Sequence, residues 1–417
     1  MNKEGKYLVL NAGSSSLKFS LYEMPEKVLI VKGNIEKIGE EESIWSLTKN
    51  AQKIASGKLR VKNHKEAVNL MLDQLFLNGI IKNVNEIKGI GHRILHGGEK
   101  YSESVLINEE VINDIIDLTK LGPLHHPGEL AGISAMLEFF PTTPMVAVFD
   151  TAFHQSISAD HYMYPVPYDW YKKYGVRKYG FHGTSHKYIT EKMQTYLQKK
   201  QVNLINCHIG SGASITAIKN GSCFNTTMGL TPLDGLMMGT RSGSIDPSII
   251  EYMMENTNKS DIEIMDELNK KSGFLGMVGK NDLRDVEKLA NDGDKNATLA
   301  IEMFKNSIVK YIAQYYFELE GKIDALVFTA GVGENDAYIR KLVIDKISHA
   351  TGIVLDEEKN NQIAGYKKIK EGIITSESSK FPVYVVPTNE ELMIVEDTYK
   401  VIKQFTSERK TWQKRKV

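Results

Sequence analysis

Tyr7-Leu8-Val9-Leu10-Asn11-Ala12-Gly13-Ser14-Ser15-Ser16-Leu17-Lys18-Phe19-Ser20-Leu21 is the stretch on which the fold class turns. Tyr7–Asn11 and Lys18–Tyr22 read as two strands joined across a small polar turn. Roughly half a chain later the pattern returns in Asn203-Leu204-Ile205-Asn206-Cys207-His208-Ile209-Gly210-Ser211-Gly212-Ala213-Ser214-Ile215. A tip rich in glycine and serine lets backbone N–H groups approach an anion closely. Two such tips fit two related halves facing one phosphate-bearing ligand, and two unrelated β-hairpins would give the same matches.

Outward from the hairpins, helical and strand patterns alternate. Val68, Met71, Leu72, Leu75 and Phe76 fall on one helical face, with Gly79 as a stop. Asn108 is placed to cap a helix carrying Ile112, Ile115 and Ile116, which Gly122 would end. Met145–Phe149 reads as a strand ending at Asp150. Ile301, Phe304, Ile308, Tyr311, Ile312 and Tyr315 make a long amphipathic helix, followed by the strand Ala325–Thr329, a glycine turn and a helix from about Asp336. Such alternation predicts an α/β architecture with a partly parallel sheet.

The chain has 417 residues, 41% apolar and 25% charged, enough for two or three domains at about 100–200 residues each. Lysine plus arginine numbers 52 and aspartate plus glutamate 52, so no basic excess advertises nucleic acid or an anionic membrane as partner. Two cysteines, Cys207 and Cys223, exclude a disulfide framework and a four-thiolate zinc site and fit a reducing compartment. The apolar run after Lys6 is too short for a signal-peptide core, and no later run approaches a membrane span. A cytoplasmic enzyme is the simplest expectation. The basic tail from Ser407 lacks apolar periodicity and reads as solvated.

Several polar clusters sit where strands end, the usual ligand edge of open α/β sheets. Asp150 could meet a metal or a proton there, or cap a turn. His92-Arg93-Ile94-Leu95-His96 sets a planar, bidentate cation beside an apolar wall, suited to a small carboxylate or to a surface ion pair. In Phe181-His182-Gly183-Thr184-Ser185-His186 the histidines have a helical metal spacing, but Gly183 and the absence of a third ligand argue against zinc. The reading is one histidine facing an anion and the other held by the structure. Arg241 lies among glycines, as a phosphate-stabilising arginine or a turn arginine would. Gly331-Val332-Gly333-Glu334-Asn335 follows a strand and opens a helix, offering N–H groups to an anion, yet neither a dinucleotide fingerprint nor a P-loop is present. Thr388 and Glu391 have capping-box spacing, which leaves Glu390 solvated or available to magnesium.

Taken in order, the strings Asn11–Lys18, Gly91–Glu99, Pro123–His125, Phe149–His154, Tyr179–His186, Met238–Arg241, Phe328–Asn335 and Thr388–Glu391 resemble the acetate kinase family, within the sugar kinase, heat-shock 70 and actin superfamily. The resemblance covers nearly the whole chain. It implies a two-lobed ribonuclease H-like (actin-like ATPase) α/β fold of duplicated domains with a central cleft: residues 1–150 plus 388–417 as the first lobe, and 151–387 as the nucleotide-binding second. It implies reversible phosphoryl transfer between ATP and a short-chain carboxylate, giving acyl phosphate and ADP, with Mg2+ (or Mn2+) and a homodimer.

Position by position, the resemblance makes Arg93 and Arg241 the carboxylate- and phosphoryl-holding arginines. His182 becomes the transition-state histidine, His125 a further active-site histidine, and Asp150 the proton- or magnesium-organising aspartate. Asn11 and Glu390 match magnesium positions and Lys18 an ATP contact. The nucleotide would lie against His208, Ile209, Gly210, Ser211 and Gly212, against Asp282, Leu283 and Arg284, and against Gly331, Val332, Gly333, Glu334 and Asn335. Leu95, Leu124, Phe181 and Pro232 match the acyl pocket. Acetate is the expected acceptor; propionate or butyrate, or pyrophosphate as donor, is the alternative.

Four positions depart from the family pattern. Ser211 stands where asparagine is usual, offering one hydroxyl in place of an amide. After His125 the chain reads His126-Pro127-Gly128-Glu129 where the family commonly has Asn-Pro-x-Asn. Leu95 replaces a frequent valine, and the extra methylene favours acetate over propionate.

Overall fold

The computed structural model describes residues 4–123, 125–365 and 369–414, with side chains through 407. Contacts divide the chain into two compact units, residues 1–152 with 389–417, and residues 153–388. Each is built on its own mixed sheet.

The first unit carries eight strands: β1 (Gly5–Ala12), β2 (Ser16–Met24), β3 (Val28–Glu36), β4 (Ser43–Lys49), β5 (Gln52–Leu59), β6 (Ile87–Ile94), β7 (Val105–Leu106) and β8 (Met145–Phe149), in the order β5-β4-β3-β2-β1-β6-β8-β7. The opening hairpin is antiparallel with Asn11 opposite Lys18, whereas β1 runs parallel to β6, and β6 to β8. Period-two alternation explains the unbroken apolar run of β1. Leu8, Leu10 and Ala12 pack in a core with Val68, Met71 and Met136, while Tyr7 and Val9 pack on the other face with Ile394, Val395 and Ile402 of the C-terminal helix, Glu390–Lys414. A Cβ at Gly91 on β6 would lie 2.2 Å from Thr398 Oγ1, so glycine there lets that helix lie flat on the sheet.

The second unit has six strands: β9 (Leu204–Ile209), β10 (Ala213–Lys219), β11 (Ser222–Thr226), β12 (Ala325–Thr329), β13 (Gly372–Ile373) and β14 (Val383–Val385), ordered β11-β10-β9-β12-β14-β13. Here too the hairpin is antiparallel, and β9, β12 and β14 run parallel. The run β3-β2-β1-β6-β8 and the run β11-β10-β9-β12-β14 therefore share one topology. That shared order favours related halves over unrelated hairpins. The architecture is the α/β, actin-like ATPase fold.

Local differences from expectation have identifiable causes. The helix capped by Asn108 ends at Asp117 and passes into a 3-10 turn, Leu118–Lys120, before Gly122 is reached. The glycine turn after β12 is itself a short helix, Ala330–Asn335, and Asp336 caps the next, Ala337–Thr351. The capping box at Thr388 and Glu391 does not form. Asn389 Oδ1 accepts the Leu392 N–H at 3.0 Å, while Glu391 accepts from Ser20 Oγ at 2.7 Å and Thr388 Oγ1 bonds Ser185 Oγ at 2.7 Å. Strand β6 stops at Ile94, so Leu95 is the first residue beyond it.

Candidate active site

Parallel strands bring their C-terminal ends to one edge, and in the first unit that edge collects charge. Arg93 near the end of β6 donates through Nε and Nη2 to Asp150 Oδ2 at 3.1 and 2.5 Å, and through Nη1 to Asn11 Oδ1 at 3.3 Å. The arginine side chain keeps 20% of its surface exposed and the aspartate 1%. Burial opposes the Arg93 charge, but Asp150 and Glu390 outweigh it and hold the guanidinium firmly charged. Glu390, at the start of the C-terminal helix, has its carboxyl raised by burial and by the charges of Asp150 and Glu391, against the pull of Arg93 and Lys18. Lys18 is exposed and faces Asn11 in register. His125 sits at the N-terminal boundary of helix His126–Phe139, and Leu95 is buried. Leu124 lies outside the described residues.

The second unit holds the other charged group. His182 has a left-handed backbone, φ 57°, immediately before helix Gly183–Tyr196. A non-glycine residue held there is a local strain of the kind that clusters at functional sites. Its Nδ1 bonds Ser214 Oγ at 2.9 Å, and the ring stacks on His208 with centroids 4.1 Å apart. Ser214 Oγ also meets His186 Nε2 at 2.8 Å, and Asn206 Nδ2 lies 2.8 Å from His186 Nδ1. His208 Nδ1 in turn lies 2.8 Å from Ser185 Oγ. Sequence reasoning had assigned no role to Ser214. The sheet pairing brings it into register opposite His208 beside the glycine tip, which no local sequence signal marks.

Arg241 is the contrasting cation. Its Nη1 meets the Pro232 carbonyl at 3.3 Å and Met238 Sδ at 3.7 Å, and among the described residues no carboxylate pairs with it. Burial accordingly lowers its hold on the proton, although an arginine remains charged. A Cβ at Gly212 would lie 3.5 Å from His182 Nε2 and 3.6 Å from Arg241 Nη1, so imidazole and guanidinium flank one point above the hairpin tip. Phe181 is buried nearby in sequence, and its carbonyl lies 2.9 Å from His154 Nε2.

Within the same unit a cavity of about 970 Å³ opens. Gly210 and Ser211 enter it from the hairpin tip, Asp282, Leu283 and Arg284 from a helix start, and Gly331, Val332 and Asn335 from the turn after β12. Arg284 donates to Asp282 through Nε at 2.9 Å and Nη2 at 2.5 Å in an exposed ion pair. Phe274, Asn281 and Tyr338 also line the cavity and had not been predicted. His208, Ile209, Gly212, Gly333 and Glu334 are not among the residues that line it. Glu334 is turned inward, accepting from the Ala330 and Thr388 N–H groups at 2.8 and 3.0 Å, so its side chain braces the turn.

Among the described residues no group of three His, Cys, Asp or Glu is arranged as a metal cage. Magnesium seldom requires one: it is held by one or two carboxylates or amide oxygens together with waters and phosphates. Glu390, with its raised carboxyl beside Asp150, and the Asn11 amide oxygen supply hard oxygen donors where negative charge is in excess. The residues present therefore fit a nucleotide-borne divalent cation.

Comparisons with known proteins agree with this geometry. The model of the acetokinase family matches residues 6–396. An acetate kinase from a Geobacillus species is 47% identical over 399 residues, covering 95% of this chain and 98% of its own. The crystal structure of a propionate kinase from Francisella tularensis superposes with a TM-score of 0.89 at 43% identity, and that of Porphyromonas gingivalis acetate kinase with 0.89 at 42%, each over 95% of this chain and the whole of the other. No helix among the described residues is long and apolar enough to cross a membrane. With a family match across both units and relatives of this identity, the chain belongs to the acetokinase family.

Proposed function

We propose that the protein catalyses reversible phosphoryl transfer between ATP and acetate, giving acetyl phosphate and ADP. The observation that carries this reading is Arg241, a half-buried guanidinium paired with no carboxylate among the described residues, set beside His182 at the mouth of a glycine hairpin. A cation so placed needs an anion to compensate it, and a phosphoryl group in flight supplies one. The adjoining cavity is large enough for a nucleotide.

In the proposed reaction Arg93, oriented by Asp150 and Asn11, holds the acetate carboxylate. Acetate is already ionised near neutral pH, so no general base has to remove a proton. One carboxylate oxygen attacks the γ-phosphorus in line, the bond to the β–γ bridging oxygen breaks, and ADP leaves with that electron pair. Arg241 and His182 donate to the equatorial oxygens as their charge spreads, and Ser214 keeps the His182 ring in place. Asn11 and Glu390 would hold magnesium, which when bound neutralises the β- and γ-phosphate oxygens. His125 and Lys18 are assigned to the acyl and nucleotide sides respectively. Homodimer assembly and a cytoplasmic setting are carried from the family resemblance.

A second reading, propionate as preferred acceptor, draws on the similarity to the Francisella propionate kinase. Leu95 weighs against it, since one added methylene in the wall is worth about 1–3 kcal/mol against the longer acid. Hydroxylamine trapping of the acyl phosphate, with acetate, propionate and butyrate each paired with ATP or pyrophosphate, tests both. The expected result is the highest kcat/KM for acetate with ATP. Equal or reversed values for propionate would transfer the assignment, and no acyl hydroxamate with any acid would end it.

A further inference from the structure

Behind Arg93 lies a pair of buried polar groups that the proposed reaction does not use. Glu129 is 3% exposed and His126 is fully buried, both in the first turn of helix His126–Phe139. Glu129 Oε1 accepts the Leu95 N–H at 3.0 Å. That amide belongs to the first residue beyond β6, where the strand ladder has ended, so Glu129 supplies the acceptor the sheet no longer provides. Glu129 Oε2 and His126 Nε2 each lack a hydrogen-bond partner, and they face one another at 3.9 Å.

Burial holds this pair away from charge. His126 Nδ1 donates to the Ile115 carbonyl at 3.0 Å, and the His96 backbone also faces the ring. Burial lowers the His126 pKa and raises the Glu129 carboxyl to about 8, with Asp150 adding to that rise and Arg93 and the Leu95 N–H opposing it. At 3.9 Å, Oε2 and Nε2 touch without a hydrogen bond. Gly122 fixes the ring from behind, since a Cβ there would lie 2.9 Å from His126 Cδ2. Ring and helix turn thus hold Glu129 on the Leu95 N–H in a buried setting, where a hydrogen bond is worth more than at a surface.

We propose that Glu129, packed against His126, anchors the Leu95 N–H, making Glu129 a positioning and specificity-determining residue for the small carboxylate substrate. The inference rests on the acyl-kinase reading above. Without the carboxyl, the Leu95 N–H has no acceptor, the chain between Arg93 and Leu95 relaxes, and the acyl wall loosens. A residue that merely supports the fold would disturb both substrates alike. This one sits beside the carboxylate-binding arginine alone, in the unit that does not contain the nucleotide cavity.

The test measures KM for acetate and for ATP, and the acetate-to-propionate ratio of kcat/KM, in Glu129→Ala, Glu129→Gln and His126→Asn. Glu129→Ala should raise KM for acetate by about tenfold, as one unmet buried donor implies, and shrink the acid ratio, with KM for ATP within about twofold. Glu129→Gln keeps an oxygen for Leu95, and should recover KM for acetate to within about threefold of wild type. If Glu129→Ala does not fold, His126→Asn keeps a donor for Ile115 but removes the ring packed against Glu129, and should raise KM for acetate about threefold without moving KM for ATP. Unchanged KM for acetate in Glu129→Ala or His126→Asn, or a parallel rise for both substrates, overturns the inference. A wild-type protein that makes no acyl phosphate would instead overturn the functional reading, which separates the two failures.

Discussion

Two arginines, one in each unit, meet burial in opposite ways. Arg93 is held by Asp150 and Asn11 and keeps its charge through a built-in counter-ion. Arg241 has a carbonyl and a thioether, and no carboxylate among the described residues. Leaving a cation uncompensated costs folding energy, whereas pairing it restores much of that cost. The difference implies separate tasks. An arginine already satisfied by Asp150 is fixed in direction and suits a ground-state carboxylate, with an exposed fraction left for the ligand. An unsatisfied one gains most when negative charge arrives, which is the condition for stabilising a transition state.

The strongest way to break this contrast is Arg241→Ala, expected to lower kcat by about 10³ with little change in KM for acetate, because a donor matched to the transferring group is lost. Steady-state kinetics at saturating ATP reads this directly. Arg93→Ala should show the opposite emphasis, chiefly in KM for acetate. If both variants lose kcat equally at saturating acetate, the division of labour fails.

Stability sharpens the same contrast with opposite signs. Arg93→Ala leaves the fully buried Asp150 without its ion-pair partner and should cost about 3–5 kcal/mol in urea unfolding. Arg241→Leu removes a cation that no carboxylate compensates and should be neutral or stabilising by about 1 kcal/mol. A matching loss in both would show that Arg241 has a counter-charge after all.

A smaller effect is expected one contact away from Arg241. Ser214→Ala removes the hydroxyl that meets both His182 Nδ1 and His186 Nε2. The strained His182 then loses a tether, and kcat should fall by about tenfold, within the range of a general positioning loss. An unchanged kcat would show that stacking on His208 suffices to hold the ring.

How much of this was legible beforehand follows from the range of the interactions involved. The strands Met145–Phe149 and Ala325–Thr329 were readable because a strand buried on both faces is a continuous apolar run. The related halves were readable because a hairpin tip is local, and the strand order then bore out the echo. The capping box at Thr388 was misread because spacing alone cannot see that Ser20 and Ser185, distant in sequence, claim Glu391 and Thr388. The helix Ala330–Asn335 was hidden by two glycines that lower helix propensity, while Glu334 and its bonds to Ala330 and Thr388 hold it closed. For the same reason the tether from Ser214 to two histidines, and the bond from Glu129 to the Leu95 N–H, could not be read, since each joins residues through tertiary packing.

The smallest predicted effect concerns the carboxyl beside Arg93. Glu129 remains protonated near an arginine because Asp150 has already neutralised that charge, so burial decides its state. With its carboxyl raised from 4.5 to about 8, the folded protein binds this proton more tightly than the unfolded chain does. The stability so contributed is fully present below about pH 4.5 and is lost as pH rises through about 8. Glu129→Gln cannot titrate. Its melting temperature should therefore gain on that of wild type by a few degrees as pH is raised from about 5 to about 8.5. The groups facing this carboxyl are Arg93, Asp150 and His126, and burial keeps His126 neutral across that window by lowering its pKa. A pH-independent difference between the two melting curves would mean that Glu129 is ionised throughout. Arg93 would then carry two carboxylates, and its contrast with Arg241 would be sharper than drawn.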